Sequence, residues 1–327
     1  MVNYPSISVV IPNYNGAHLV VETIRCAYVA LESSGITDFE IIVTDDGSTD
    51  QSAGVVQSNF PEARFIHYQQ NTGFSGNMNR GIKLATKDWV LLLNSDVHLS
   101  PDYFTSQLNL MEEENTFGVM GLILDADTKT PQDGAKMAKI SVLSIDSNKN
   151  IFTTSTALPT LFLSGANALI KRKYLVELGG FNELFNPYYS EDVDLGIRAW
   201  RSGLALYFQP QAICYHAQSS TIKKLPSGHV RMIAKRNKHF LHFLHLPTLF
   251  NWIYLIKSCA NALVQLLIGR TIHMRALLHF FQNMKSLRKQ RNKLRLSVTG
   301  RQPLSLLEVK KSIHNLLENQ PKTIVRS

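Results

Sequence analysis

The chain has 327 residues, 44% of them apolar and 18% charged, enough to bury a sizeable core and too apolar for a disordered chain. Its three cysteines, Cys26, Cys214 and Cys259, are odd in number, far apart and without a CxxC pair. That argues against a disulfide scaffold and a zinc knuckle, and fits a reducing compartment. The net charge of +9 is unevenly divided: residues 1–220 hold 14 Lys+Arg against 23 Asp+Glu, and residues 221–327 hold 20 against 2. An acidic body with a basic tail suits an anionic partner, with nucleic acid, anionic lipid and phosphorylated ligands all open at this level.

Residues 7–11 (ISVVI) read as a short strand stopped by Pro12. Pro12, Asn13 and Asn15 interrupt the run and no basic residue precedes it, so no signal peptide is expected and a cytoplasmic location is. Residues 17–34 read as a helix, with Leu19, Ile24, Ala27, Tyr28 and Leu31 near helical spacing. Residues 40–44 (EIIVT) are a second strand, followed at once by Asp45, Asp46, Gly47 and Ser48. Ser48 or Thr49 is placed to cap the next helix, with Asp50 in its first turn. A strand at 63–68, a helix at 75–86 and a strand at 89–93 come next, the last ending at Asn94-Ser95-Asp96. The Thr/Ser/Lys-rich stretch 125–160 reads as an irregular connection, a mobile substrate loop. Beyond it come an apolar strand at 161–170, a short helix at 172–178 stopped by Gly179-Gly180, a helix at 191–202, and short strands at 204–208 and 211–215. From about 228 onward the pattern is helical, basic and Leu/Phe-rich.

Strands alternating with helices, the strands nearly all apolar, describe an α/β fold with a parallel sheet covered on both faces. Such sheets bind ligands at the carboxyl ends of their strands. Three polar clusters fall there: Asn13–Asn15, Asp45–Asp46 and Asn94–Asp96. Each alone would pass for a turn or cap; three at one edge point to a nucleotide-type site.

Asp96 closes a buried strand, where a carboxylate can hold a divalent cation against a diphosphate or simply cap the helix after Pro101. Ser190-Glu191-Asp192-Val193-Asp194 puts three carboxylates at a helix start. The helix dipole explains part of this, but mutual repulsion makes one of them a candidate for a raised pKa, as a general base requires. Asp194 lies four residues before Arg198 and can pair with it on one helix face. His216 comes just after a strand and can serve as a neutral metal ligand or a structural histidine. His239, His242 and His245 have spacing three, but in an amphipathic aromatic stretch that reads as a core or membrane face rather than a metal site. Residues 71–81 form a Gly/Asn-rich loop entering a helix, able to bring backbone N–H groups to phosphate or sugar. No GxGxxG and no GxxxxGK[ST] occurs, so neither NAD binding nor P-loop chemistry is supported.

Taken in order, SVVIPNYNG (8–16), IIVTDDGSTD (41–50), NTGFSGNMNRGI (71–82), LLLNSDV (91–97), SGANALIKR (164–172), GGFNELFNPYYSEDVDLGIRAWRSG (179–203) and YHAQSST (215–221) resemble the inverting glycosyltransferases of family 2, and most closely their bacterial rhamnosyltransferase-like branch. The resemblance covers about residues 5–240 and implies the GT-A fold, a Rossmann-like, mostly parallel sheet flanked by helices. It implies that Pro12, Tyr14 and Asn15 frame the nucleoside, that Asp45 bonds the pyrimidine edge, and that Asp46 and Gly47 shape the pocket floor. Asn77 and Asn79 would face the nucleotide sugar, and Gly165 and Ala166 would leave it room. Asp96, with Ser95 beside it, and His216 would hold Mg2+ or Mn2+ on the diphosphate. Asp192 would be the general base, supported by Glu191. The implied reaction is one in-line displacement, inverting at the anomeric carbon, in which a hydroxyl of a glycan or lipid-linked acceptor takes the sugar of dTDP-rhamnose or a UDP-sugar, as in surface polysaccharide synthesis. Asn94 stands where many relatives carry an aspartate, which leaves fewer carboxylates for the cation.

The division expected is a catalytic domain at 1–240 and a helical, basic region at 241–327. Within the latter, 246–268 is apolar but contains Asn251, Lys257, Ser258, Asn261 and Gln265, so it reads as a helix lying on a membrane rather than spanning it. Arg270, Arg275, Lys285, Arg288, Lys289, Arg291, Lys293 and Arg295 come after it, suiting the anionic inner face of a cell membrane. A homodimer contact is the bland alternative, and nucleic acid is disfavoured because no recognised module accompanies the charge. Sugar-phosphate nucleotidyltransfer would need a Gly-rich N-terminal loop that this chain lacks. A catalytically inactive, membrane-bound scaffold is the non-enzyme alternative.

Overall fold

The computed structural model describes residues 4–152, 156–217, 226–294 and 302–318; Arg295 and the 218–221 end of the YHAQSST segment lie outside them. Four parallel strands, β1 (Ile7–Asn13), β2 (Phe39–Asp45), β3 (Arg64–His67) and β4 (Trp89–Leu93), stand in the order β3–β2–β1–β4. They are joined by α1 (Ala17–Ser33), α2 (Ser52–Asn59) and α3 (Gly73–Leu84). Alternation along the strands divides the core in two. Val9, Ile11, Ile41, Val43, Leu91 and Leu93 meet α1 through Val20, Ile24, Ala27 and Leu31, while Val10, Ile42, Val90 and Leu92 meet α3 through Met78 and Ile82. Each such aliphatic side chain contributes about 1.5–3 kcal/mol by leaving water. Gly81 lets α3 rest on β1, since an added Cβ would collide with Val10 Cγ1.

Beyond β4 the sheet is mixed. The remaining strands are β5 (Val97–Leu99), β6 (Thr116–Asp125), β7 (Pro131–Asp133), β8 (Ala135–Ser141), β9 (Ser144–Ile151), β10 (Leu158–Pro159), β11 (Asn167–Lys171) and β12 (Ala205–His216). The main sheet runs β10–β12–β6–β11–β4–β1–β2–β3, with β5 on β12 and β7 on β6. The helices α4 (Leu108–Glu112), α5 (Arg172–Glu177) and α6 (Glu191–Arg201) complete this part. The fold is the α/β, GT-A type that the sequence resemblance implies.

Several elements differ from the sequence reading. Ser48 and Thr49 do not cap α2, which begins at Ser52 after Gln51; Ser48 instead hydrogen-bonds Asp45. The strand expected at 161–170 starts only at Asn167. The two strands expected at 204–208 and 211–215 are one, β12, whose register against β6 shifts between Gln209 and Ile213, where Pro210 has no N–H for the ladder. Strand β6 has no counterpart in the sequence reading, although its run FGVMGLIL is apolar throughout. The largest difference is 125–160: it is not a structureless loop but carries the β8–β9 hairpin. Ala135, Ile140 and Ile145 are its fully buried apolar residues, with Met137, Ala138 and Ile151 packed beside them, an irregular spacing that shows no strand period in the sequence.

The tail comprises α7 (Ser227–His245), α8 (Thr248–Leu267), α9 (Ile272–Gln282), α10 (Met284–Leu294) and α11 (Leu306–Glu318). The boundary expected at residue 240 falls inside α7. That helix packs on the preceding sheet domain at its middle and its C-terminal end: Asn237 bonds the loop before α6, and His245 bonds Asp194 within α6. Val309 and Ile313 of α11 join the same core, and Arg201 Nε donates to Leu304 O at 2.9 Å. Among the described residues no helix is long and apolar enough to cross a membrane.

Candidate active site

The parallel register aligns Asn13 with Asp45 and Asp45 with His67 at the carboxyl ends of β1, β2 and β3. Asp45 is buried there and its carboxylate is fully used. It accepts from Asn13 Nδ2 at 2.7 Å, Ser48 N at 3.1 Å and the Ser48 hydroxyl, and lies 2.7 Å from His67 Nδ1. His67, whose side chain is 48% exposed, is the one of these partners open to solvent. The sequence reading does not single it out, because it lies inside the run 63–68 read only as a strand. Asn15, in the left-handed region at φ 51°, accepts from Thr49 N at 2.9 Å and locks the β1–α1 turn to the β2–α2 turn. Tyr14 beside it is half exposed, and Pro12 is partly buried. Gly47, at φ 83°, lets the turn pass within 3.1 Å of Gln69 O measured from an added Cβ.

Asp46 braces rather than opens this edge. It accepts from Thr72 N at 2.9 Å, Gly73 N at 2.9 Å and Arg80 at 2.9 Å, fixing the Gly/Asn-rich loop at the start of α3. The two asparagines of α3 are also occupied by the protein itself. Asn77 Nδ2 donates to Thr44 O at 2.8 Å; its Oδ1 is buried without a partner. Asn79 donates to Phe181 O and Glu183 at 2.9 Å each and accepts from Phe181 N at 2.8 Å. Both side chains tie α3 to its surroundings, and Asn77 Oδ1 keeps an acceptor unmatched by the described residues.

A second cluster forms where β5 turns back after Asn94-Ser95-Asp96. β5 pairs with β12, matching Val97 with His216, and Ala217 N donates to Asp96 O at 3.0 Å. This brings Asp96 Oδ2 to 3.3 Å from His216 Nε2. His216 Nδ1 meets Gln132 Oε1 at 2.9 Å, an atom that only accepts, so Nδ1 carries the proton. In the neutral ring Nε2 then presents a lone pair to a carboxylate, an arrangement that a cation between them would satisfy. The donor set suits Mg2+ or Mn2+ with the remaining positions left to phosphate and water. Among the described residues no cluster of three or more His, Cys, Asp or Glu converges, so of these residues Asp96 and His216 are the pair placed to hold it. Asn94 N donates to Ala166 O at 3.1 Å, which seats Gly165 and Ala166 beside the same strand end, with Phe74 3.0 Å from a Cβ added at Gly165. The Ser95 carbonyl accepts from Thr23 at 2.8 Å.

The third cluster begins α6. Tyr189 and Ser190 both lie at positive φ, 74° and 75°, a strained entry for non-glycine residues. Glu191 comes next, 9% exposed, with Oε2 buried and unpartnered. Burial pushes the Glu191 carboxyl well up, and the charge of Asp192 adds to the shift. Burial also raises Asp192, although the Lys136 ammonium pulls it back in part. Asp194 goes the other way. Burial would raise it, but Arg198 at 2.8 Å and His245 at 2.8 Å outweigh that and hold it below the ordinary carboxylate range. The i, i+4 pairing of Asp194 with Arg198 read from the sequence is present.

The three tail histidines part company, as spacing three around a helix allows. His239 lies 2.8 Å from the Tyr254 hydroxyl, His242 Nε2 accepts from Ile145 N at 3.0 Å, and His245 bonds Asp194. Burial, with Lys235 for His239 and Lys238 for His242, lowers their pKa values to about 4 and about 3. They are core histidines. Asn237, also missed in the sequence, is fully buried on α7 and donates to Phe185 O at 2.6 Å, Tyr188 O at 2.8 Å and Tyr189 O at 2.9 Å. It thereby clamps the strained segment that delivers Glu191 and Asp192. A cavity of about 920 Å³ between α3, α5, α6 and α10 includes Asn79 but none of the other expected site residues, so chemistry at the strand ends, not cavity volume, locates the site.

Residues 8–179 match the sequence profile described as "Glycosyl transferase family 2". The chain is 26% identical over 231 residues to the N-acetylglucosaminyl-diphospho-decaprenol L-rhamnosyltransferase of Mycobacterium tuberculosis, covering 63% of this chain and 75% of that protein. It is 25% identical over 309 residues to the amylovoran biosynthesis glycosyltransferase AmsB of Erwinia amylovora, covering 90% and 99%. The fold matches GalNAc-T7 solved with UDP, GalNAc and Mn2+ at TM-score 0.64 and 14% identity, over 98% of this chain and 59% of that one. It matches S. aureus TarS 1–349 with UDP-GlcNAc at TM-score 0.57 and 15% identity, over 97% and 93%. With strand-end polar clusters, a GT-A sheet and a profile match over more than half its length, the chain belongs to glycosyl transferase family 2.

Proposed function

We propose that this glycosyltransferase moves a sugar, with inversion, from dTDP-rhamnose or a UDP-sugar to a hydroxyl of a glycan or lipid-linked acceptor in surface polysaccharide synthesis. The observation that carries the reading is the acidic start of α6 in a chain of this family: the strained Tyr189–Ser190 entry delivers Glu191 and Asp192, and Glu191 is buried with one oxygen unpartnered. Asp192 takes the acceptor proton as the acceptor oxygen bonds to the anomeric carbon and the bond to the diphosphate breaks. A base whose pKa is raised toward neutrality is better matched to that transfer than an ordinary carboxylate. Glu191 sits beside Asp192, its own carboxyl raised by burial and by the charge of that neighbour. Asp96 and His216 are the residues to hold Mg2+ or Mn2+, which when bound neutralises the charge of a diphosphate leaving group. Asn15, Asp45 and His67 build the nucleoside edge, with Pro12 and Tyr14 beside it; Asp46, Gly47, Asn77 and Asn79 keep its loops in place, and Ser95, Gly165 and Ala166 border the sugar. The rhamnosyltransferase name of one relative and the polysaccharide name of another support the donor and acceptor classes. The charge of the tail supports peripheral attachment to the inner face of the cell membrane, where a lipid-linked acceptor would lie.

The test is a thermal-stability titration with UDP, dTDP, GDP and CMP, each with and without Mn2+. A ligand at a hundred times its Kd stabilises the folded state by about 2.7 kcal/mol. A rise with one pyrimidine diphosphate, enlarged by Mn2+ and reduced in Asp96→Asn, is the expected result. No rise with any nucleotide, in protein shown to be folded, overturns the proposal in favour of the inactive scaffold.

A further inference from the structure

The tail helices leave one face uncovered. On α8, Leu249, Trp252, Ile256, Leu263 and Leu267 are 68%, 58%, 67%, 55% and 87% exposed. Their spacings of three, four, seven and four put them on one side of the helix. Asn251, Leu255 and Ala262, the buried positions of α8, lie on a separate side of the helix, against the protein. Scattered apolar residues on a surface need no explanation, but a stripe running the length of a 20-residue helix does. The charge around it is of one sign. From residue 226 to 294 the chain has twelve Lys and Arg and no Asp or Glu. Lys257 on α8, Arg270 just past its end and Arg275 on α9 are all exposed.

We propose that the outer face of α8 is a docking surface for an anionic lipid bilayer, with Leu249, Trp252, Ile256, Leu263 and Leu267 entering the acyl boundary and Lys257, Arg270 and Arg275 meeting the headgroups. The inference rests on the proposed peripheral attachment and names the surface responsible. A spanning helix would need lipid on every side, whereas α8 is committed to protein on one; an in-plane helix needs one apolar face and a cationic border, which is what α8 offers. A second copy of the chain would cover the stripe only by bringing two strongly basic tails together, while an anionic leaflet matches both the apolar face and the charge. Because α8 comes directly after α7, whose Asn237 clamps the loop before α6, docking through α8 would hold the acidic site in a fixed relation to the bilayer.

The full chain reports its own docking. Trp89 and Trp200 are 4% and 2% exposed, so a change in tryptophan emission on mixing with vesicles belongs to Trp252. The expected result is a blue shift and co-sedimentation with phosphatidylcholine vesicles containing phosphatidylglycerol, weaker with phosphatidylcholine alone and weakened further by salt. Replacing Lys257, Arg270 and Arg275 by Gln lowers the affinity for anionic vesicles about a hundredfold. The triple change Leu249→Ser, Ile256→Ser and Leu267→Ser alters only exposed positions; it leaves the melting temperature unshifted and weakens binding about a hundredfold or more. No emission shift with any vesicle overturns the proposal, as does equal binding by the triple variant. A dimer in light scattering that the triple variant converts to monomer, with no vesicle binding, assigns the face to a second copy instead. Vesicle binding needs no sugar transfer, so intact docking by a protein that binds no nucleotide would sink the transferase reading and leave this one standing.

Discussion

The strand ends of β1–β4 and the first turn of α6 both carry carboxylates out of solvent, yet the two regions treat them in opposite ways. Asp45 and Asp46 have every lone pair matched by Asn13, Ser48, His67, Thr72, Gly73 or Arg80. At α6, Glu191 has a buried oxygen without a partner, and both it and Asp192 are pushed toward the protonated form. Within that same helix Asp194 is matched by Arg198 and His245 and stays charged. A saturated carboxylate fixes geometry. An unsaturated one costs folding free energy and keeps a proton-accepting site available.

The sharpest way to break this comparison is Asp192→Asn. Loss of the base should lower transfer about 10²–10⁴-fold, measured with the donor and acceptor that the wild type uses. The same change should raise the melting temperature at neutral pH. A carboxyl whose folded pKa lies above its unfolded value stabilises the fold only while protonated, and that contribution disappears as pH rises through the folded pKa. The pH profile obeys the same logic: transfer should fall on acidification through the raised pKa of Asp192, at higher pH than for an ordinary carboxylate near 4. Unchanged activity together with lower stability would show that Asp192 belongs with the saturated group.

Next in size, Asp194→Asn should destabilise by about 3–5 kcal/mol, since it strands the buried Arg198. Its linkage has the opposite sign. With a folded pKa below the unfolded one, Asp194 stabilises above the unfolded pKa, and the contribution is lost as pH falls through the folded value. Denaturant unfolding of the variant and wild type across the acid range separates the two behaviours.

Asn237→Ala leaves the carbonyls of Phe185, Tyr188 and Tyr189 without their donor and should destabilise by about 1–3 kcal/mol. As a positioning residue it should lower kcat with little change in KM and shift the acid limb of the pH profile, because relaxing the Tyr189–Ser190 entry re-solvates the carboxyls. A purely structural role would leave that limb where it is. Smallest of all, His67→Ala removes a half-exposed partner of Asp45 and should change stability by under about 1 kcal/mol. Its effect should instead appear in nucleotide affinity, read from the same thermal titration.

The motifs made the catalytic half legible because chemistry concentrates there into contiguous residues. IIVTDDGSTD contains the end of β2 and the turn, and SEDVD the start of α6. The parallel order β3–β2–β1–β4 is the one expected of apolar runs separated by helical patterns. Illegible in the sequence was whatever depends on partners distant in the chain. The β8–β9 hairpin is held by Ile145 N on His242 and by Lys238 on Asp146, contacts across more than ninety residues. Asn79 belongs by motif to the nucleotide loop, yet its amide is used by Phe181 and Glu183 about a hundred residues on.

By itself, then, the sequence determined the parallel part of the sheet, the polar residues at its strand ends, the acidic start of α6 and the charge of the tail, because each depends on local periodicity or composition. Only the tertiary structure decided which carboxylates are matched and which are not, that three evenly spaced histidines serve three separate neighbours, and that α7 packs against the loop before α6 and against α6 itself. Hydrogen-bond saturation and burial are set by groups that arrive from elsewhere in the chain, and no window of sequence contains them.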